Sequence, residues 1–288
     1  MCSARVERFA PSPTGPLHLG HAFSALTAWD AAQAAGGRFL LRIEDIDRGR
    51  CRPAWEEAIF ADLAWLGVTW ETPVMRQSAR GPAYRAALDR LDAMDLTYPC
   101  TCSRRDIREA LSAPQEGAHE DLREGPDGPV YPGTCKGGTS GTRDPAIRLH
   151  MDRAVAAAGP LSFEETGEGG ARSVTLSPKA MVAGIGDVVL ARRDFGTSYH
   201  LAVTVDDAAQ GITHVTRGAD LFEATAIHVL LQRLLDLPVP VYHHHRLIRD
   251  AGGRRLAKRD DARAIARYRA DGVTPGEVRR MLDLPPAS

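Results

Sequence analysis

The sequence predicts an α/β fold built on a parallel sheet, and three observations carry that prediction. The first 47 residues read strand, loop, helix, strand; apolar spacing near 3.6 alternates with short β-rich runs; and strand signals return after Ile147, again followed by a helix. A strand–helix–strand unit makes parallel neighbours and places ligands at the carboxyl ends of its strands. With 288 residues the chain holds two domains, or one α/β domain carrying an insertion.

The run "ARVERFA" is a short strand delivered into the turn formers "PSPTGP". From Leu17 to Ala35 the Ala-rich stretch with Leu19, Phe23, Leu26 and Trp29 near helical spacing is a helix, stopped by Gly36-Gly37. "RFLLRIEDID" is a buried strand ending in Glu44, Asp45 and Asp47. Pro53 opens a helix with Trp55, Ile59, Leu63 and Leu66 on one face, and another helix runs from about Pro82 to Met94. Thr97 to Arg143 holds three cysteines, many Gly and Pro and little periodicity, so it reads as an insertion with a small local fold. Further on, "HLAVTV" and "ITHVTR" read as buried strands linked by an acidic turn, followed by the helix "LFEATAIHVLLQRLL", the strand "VPVYHHH", a basic loop and two short helices. The expected division is 1–96 and 181–242 for the two halves of the sheet domain, 97–180 for the insertion, and 243–288 for the loop and a small basic helical tail.

Composition excludes several classes. Hydrophobic residues are 43% and charged residues 25%, which rules out collagenous, low-complexity and disordered chains. Apolar runs are broken well before membrane-spanning length, as Asp187 breaks "AMVAGIGDVVLA", and the N-terminus lacks the apolar stretch of a secretory signal. A cytoplasmic protein is the expectation. Five cysteines in a long chain of that kind argue against a disulfide framework and for free thiols or a metal site. Thirty-six basic residues balance 37 acidic ones, yet from His243 to Leu282 eleven Arg and Lys face five acids. A polyanion would therefore be held by a local patch.

The junction "PSPTGPLHLGH" brings a strand to a helix N-terminus, where backbone N–H groups and the helix dipole attract phosphate and His18 and His21 can donate to it. Neither GxGxxG nor GxxxxGK is present. The run "RFAPSPTGPLHLGH" resembles the opening of the glutamyl-type class I aminoacyl-tRNA synthetases, with His18-Leu19-Gly20-His21 at their HIGH signature. "RRLAKRD" is similar to their KMSKS loop, with Lys258 at its second lysine, Arg255 for the first lysine and Ala257 for the serine. "SYHLAVTVDDAAQGITHVTRGADL" resembles the strands of the family's second active-site half, so the likeness runs from about Val6 to at least Asp260.

That resemblance implies a Rossmann-type class I synthetase catalytic domain in which the two signatures clamp ATP, bound with Mg²⁺, while an amino acid carboxylate attacks the α-phosphorus. Such chemistry rests on alignment and on donors placed where charge develops. His18, His21 and Lys258 are then expected to stabilise that charge, with Gly20 joining them at ATP. Arg8, Phe9, Ala10, Pro11, Ser12, Glu44, Tyr199 and Arg217 match the family's glutamate-binding positions. Glu44 is expected at the ammonium, and Arg8 and Arg217 at carboxylates, where a guanidinium fork suits the geometry better than an ammonium. Without the resemblance, Glu44 beside Arg42 and Arg48 reads as a surface ion pair.

Cys100-x-Cys102 and Cys135, 32 residues further on, offer three soft ligands for a structural Zn²⁺, with unmetallated thiols as the alternative. By composition His119 is a candidate fourth ligand; the resemblance points to Tyr131. His243, His244 and His245 alternate faces on a strand and read as surface or phosphate-loop neighbours.

Full-length members of the family continue into a large helical anticodon-binding region, whereas this chain ends 30 residues after Lys258. It thus resembles the stand-alone branch that activates L-glutamate and transfers it to queuosine in the anticodon stem-loop of tRNA(Asp), with the basic tail against the RNA backbone. A monomer is expected. The alternatives are a glutamate-activating ligase with another acceptor, a tRNA 3′ end or a small molecule, and a non-catalytic zinc-stabilised RNA-binding paralogue.

Overall fold

The computed structural model describes residues 4–112, 124–138, 144–248 and 263–286. The opening unit forms as expected. Strand β1 (Val6–Phe9) is parallel to β2 (Arg38–Ile43), with helix α1 (Leu19–Ala34) between them. A Cβ at Gly37 would sit 2.2 Å from the Arg5 carbonyl oxygen, so the helix stop is a steric requirement as well as a turn preference. After α2 (Pro53–Trp65), β3 (Glu71–Arg76) joins β2 in parallel. The sequence pattern misses β3 because it is a largely exposed edge strand, where Pro73 is tolerated and no apolar alternation is needed.

Helix α3 (Gly81–Asp92) leads to β4 (Thr97–Cys100), α4 (Arg104–Ser112), the two-residue strands β5 (Glu124–Gly125) and β6 (Gly128–Pro129), and β7 (Ala146–Leu149). The chain continues through α5 (Met151–Ala158), the hairpin β8 (Leu161–Glu165) with β9 (Arg172–Leu176), α6 (Pro178–Gly184) and β10 (Val189–Ala191). Strands β4, β7 and β10 form an antiparallel sheet with β7 in the middle. Beside it Tyr98, Cys100, Tyr131 and Cys135 make a small separate core.

The second half holds α7 (Tyr199–Ala209), β11 (His214–Gly218), α8 (Thr225–Leu234) and β12 (Val241–His245). Strand β12 is parallel to both β11 and β8. Strand β1 lies beside β11: Val6 N–H donates to Thr213 Oγ1 at 2.8 Å, and Arg8 reaches the Thr216 carbonyl at 3.3 Å. The contacts advance together, so the strands run the same way. The order β3-β2-β1-β11-β12 therefore changes direction between β1 and β11, the place where an α/β sheet opens a crevice.

One expectation fails outright. "HLAVTV" lies in helix α7, and its acidic "turn", Asp206-Asp207, lies inside the same helix. Ser198 caps it, its side chain accepting from Leu201 N–H, while His200, Leu201, Ala202, Val203, Thr204, Asp206 and Asp207 are all buried. Its partly exposed side, Val205, Ala208 and Ala209, is apolar, so the helix shows no amphipathic period, and its β-branched residues then mimic a strand.

Helices α9 (Ile265–Ala270) and α10 (Pro275–Met281) do not stand apart as a tail. Ile265, Val278 and Leu282 are fully buried in the core around α1 and α2. Each of the six described arginines expected to form the basic patch meets a carboxylate: Arg246 and Asp283, Arg263 and Arg267 with Asp271, Arg269 and Asp62, Arg279 and Asp30, Arg280 and Glu277. Arg279, 3% exposed with two bonds to Asp30, is a structural residue. Arg249, Arg254, Arg255, Ala257, Lys258, Arg259 and Asp260 lie outside the described residues. Among the described residues no helix is long and apolar enough to cross a membrane.

Candidate active site

A cavity of about 500 Å³ opens at the change of direction between β1 and β11. Arg8 and Phe9 end β1 on its wall, Ala10, Pro11 and Ser12 follow, and Glu44 comes from the end of β2. His18, Gly20 and His21 arrive on α1, Tyr199 on α7 and Arg217 on β11. Every site residue expected from the sequence is thus at one cavity except Lys258, which lies outside the described residues, and the cysteine group. Tyr199 reaches it from the first turn of a helix, not from a strand.

The two signature histidines cap α1. His18 Nδ1 accepts from Gly20 N–H at 3.1 Å, and His21 Nδ1 accepts from His18 N–H at 3.2 Å, a reciprocal box built from imidazoles. With both Nδ1 atoms accepting, the ring proton of each neutral histidine sits on Nε2. The rings lie 3.8 Å apart, and a Cβ at Gly20 would come 3.0 Å from His18 Cε1, so any larger residue would press on that ring where it folds over the helix start.

Beneath the cavity runs a buried charge cluster. Arg42, fully buried, bonds Asp207 at 2.6 Å, Glu44 at 3.1 Å and Gln210 at 3.0 Å, and Arg8 bonds Asp207 at 3.2 Å. Burial alone would raise Asp207; the guanidinium charges of Arg8 and Arg42 outweigh it and hold the carboxyl below its usual range. Glu44 is pushed up because burial outweighs Arg42 and Arg8. The surface ion pair with Arg48 does not form: Glu44 is buried, and Arg48 bonds the Ser78 carbonyl. Arg42 and Asp207 escape sequence reasoning because each is read locally as a solvated charge, while they meet across 165 residues.

Of the three histidines of β12, His243 is half-buried, and the surface reading fails for His244 and His245, the second of which lines the cavity with His18 and His21. His244 and His245 are buried and point to opposite sides: His245 Nε2 meets Ser24 Oγ at 2.7 Å, while His244 bonds Arg217 and Glu165. Burial first, then Arg217, brings the His244 pKa down to about 4. The unfolded chain takes up a proton near pH 6.5 that folded His244 refuses, so its contribution to stability is complete above that pH and falls as pH drops towards 4. The slope is up to about 1.4 kcal/mol per pH unit. Thermal unfolding between pH 4 and 7 should show it, and a His244→Gln variant with an undiminished slope would refute the assignment.

Cys100, Cys102 and Cys135 gather with their sulfurs within 4.8 Å of one another, a group that could hold a metal ion. Tyr131 lies against it: its hydroxyl is 3.4 Å from Cys100 Sγ and from Cys102 Sγ and accepts from Cys135 N–H at 2.9 Å. Burial raises the Cys135 thiol, but hydrogen bonds led by Tyr131 and the Thr101 backbone outweigh it, bringing it down to about 6. His119 lies outside the described residues.

Residues 5–285 match the family model of class I tRNA synthetases (E and Q), catalytic domain. The chain belongs to that family. As a class I synthetase domain it is 61% identical over 286 residues to a glutamyl-Q tRNA(Asp) synthetase of Rhodobacter capsulatus, covering 97% of this chain and 100% of that one. It is 44% identical to the protein of the same name from Leptothrix cholodnii, over 95% and 88% of the two chains. Among solved structures, the glutamate tRNA ligase of Elizabethkingia meningosepticum in complex with its amino acid superposes with a TM-score of 0.69 at 28% identity. That match covers 90% of this chain and 52% of the ligase, so this synthetase domain spans about half of that relative's length.

Proposed function

We propose that this chain activates L-glutamate with ATP and transfers it to queuosine in the anticodon stem-loop of tRNA(Asp). The observation that carries this reading is the cavity itself, in which a cationic and anionic side-chain set meets a histidine-capped helix start at the sheet crevice. The relatives named glutamyl-Q tRNA(Asp) synthetase support the acceptor.

In this reading Glu44, which spends one oxygen on Arg42, receives the ammonium. Among the described residues Arg8 gives Nε–H to Asp207 and one Nη1–H to Thr216, which keeps its Nη2 for a carboxylate. Arg217 holds a second carboxylate, and Phe9, Ala10, Pro11, Ser12 and Tyr199 form the walls. His18 and His21 donate Nε2–H to the ATP phosphates, where donors fixed in advance stabilise the charge that builds as the glutamate carboxylate attacks the α-phosphorus, forming glutamyl-adenylate and expelling pyrophosphate. Gly20 admits the nucleotide alongside them. Lys258 is assigned to the same charge; it lies outside the described residues, and of those nearest it in sequence Ile248 is on the cavity wall and Ala264 bridges His18. Mg²⁺ accompanies ATP through phosphates and water. Transfer gives an ester with a hydroxyl of the queuosine ring and releases AMP.

The thiol group is assigned to a structural Zn²⁺ held by Cys100, Cys102, Cys135 and Tyr131, three soft thiolates and one harder phenolate oxygen that together make the tetrahedral number. Cys100→Ser is expected to lower both bound zinc and the melting temperature, read by metal analysis and thermal unfolding; metal-free wild type would end the assignment. We place the protein in the cytoplasm as a monomer. The function is tested by ATP–pyrophosphate exchange with glutamate, aspartate and glutamine, followed by transfer of labelled glutamate to queuosine-containing tRNA(Asp). Exchange with glutamate alone and charging of that tRNA are expected. Charging of an RNA 3′ end instead would overturn the acceptor, and absence of exchange with and without tRNA would overturn the activity.

A further inference from the structure

Arg217 is held differently from the other cations of the cavity. Its Nε–H donates to His244 Nε2 at 3.1 Å, Nη1 donates to His228 Nδ1 at 3.0 Å, and Nη2 donates to the Leu221 carbonyl at 3.2 Å and to Thr225 Oγ1 at 2.7 Å. Among the described residues four of its five N–H groups are thereby engaged, none by a carboxylate, and one Nη1–H is left on a side chain that lines the cavity.

A guanidinium has no lone pair to offer, so both imidazole nitrogens facing it must be acceptors. The remaining ring protons follow from that. His244 carries its proton on Nδ1, donated to Glu165 Oε2 at 2.5 Å, and Glu165 is fixed in turn by the N–H groups of His244 and Gly167. His228 carries its proton on Nε2, donated to His200 Nδ1 at 3.0 Å, which leaves the His200 proton on Nε2, 3.6 Å from Asp127 Oδ1. The tautomers that Arg217 requires of the two imidazoles are those favoured by Glu165, bonded to His244 Nδ1, and by Asp127, which faces His200 Nε2 beyond His228.

We propose that His228 and His244 are positioning residues that aim Arg217 at the carboxylate of the amino acid, their tautomers set by Asp127 through His200 and by Glu165. The inference rests on reading the cavity as the amino-acid site. Its physical point is charge: a carboxylate partner would orient Arg217 but also neutralise it and compete with substrate, whereas neutral acceptors orient it and leave its full charge for the ligand. Arg8 and Arg42, each paired with Asp207, show the other arrangement in the same site.

The test is ATP–pyrophosphate exchange with the full chain, with KM measured separately for amino acid and ATP, and equilibrium titration of L-glutamate onto the same proteins. His228→Leu should raise the glutamate KM about tenfold or more and leave the ATP KM unchanged. His228→Asn, whose Oδ1 replaces the accepting Nδ1, should return it to within about threefold of wild type. Asp127→Ala, on a partly exposed turn, should raise it about threefold and serves as the test should His228→Leu not fold. An unmoved glutamate KM, an ATP KM rising in step, or failure of Asn to restore what Leu loses overturns the proposal. Exchange with aspartate or glutamine in place of glutamate would sink the substrate reading alone, since the same KM comparison for that amino acid still decides the role of the histidines. Wild type that binds none of the three ends both.

Discussion

His18→Ala is expected to reduce ATP–pyrophosphate exchange by about 10²–10³-fold, the usual loss when one fixed donor to developing charge is removed. The side chain has two duties, and the substitution removes both. His18 Nδ1 caps α1 by accepting from Gly20 N–H, worth about 1 kcal/mol of stability, while Nε2–H is the donor assigned to phosphate. His18→Asn separates them. Asparagine is a strong N-cap whose carbonyl oxygen takes the place of Nδ1, but its side chain lacks the reach of Nε2. The melting temperature of His18→Asn should therefore stay at the wild-type value while exchange falls as far as in His18→Ala. Exchange within threefold of wild type in the Asn variant would show that capping, and not donation, is what the signature histidine supplies.

Asp207→Asn is expected to be the most destabilising conservative change in the chain. The carboxylate joins Arg8 and the fully buried Arg42, and removing its charge leaves two buried guanidinium groups short of a partner. Breaking a buried pair of this kind costs about 3–5 kcal/mol. For a chain of this size that corresponds to a fall in melting temperature of roughly 10 °C. The same carboxyl is held below its usual range, so its stabilisation is present above about pH 4 and is lost as the pH falls through the lower folded value; the variant should lose that acid dependence. Glutamate binding should weaken as well, because Arg42 positions Glu44 and Asp207 positions Arg8. A melting temperature within 2 °C of wild type, or an unchanged glutamate KM, would refute the assignment of this cluster as the floor of the site.

The parts of the site carried by local patterns are legible in the sequence. β1, the turn-rich loop, α1 and β2 follow from alternation, 3.6 spacing and the Gly36-Gly37 stop, and the cysteine spacing marks a soft cluster that does come together. These are properties of neighbours in sequence, and neighbours in sequence determine which backbone hydrogen bonds and which single face of an element can form.

What only the tertiary structure decided depends on partners far apart in the chain. Helix α7 has the sequence pattern of a strand because most of it is buried and the side left partly exposed, Val205, Ala208 and Ala209, is apolar, so periodicity has nothing to report. Arg42 and Asp207 have the local pattern of solvated charges because the partners that offset the cost of burying them lie far away in the chain, each other across 165 residues and Arg8 across 199 from Asp207. His244 is, in sequence, one of three adjacent imidazoles with nothing to distinguish it, yet Glu165 and Arg217, 79 and 27 residues away, set its proton and its charge. A side chain's protonation and direction are set by the groups that surround it, and those groups become its neighbours only when the chain folds.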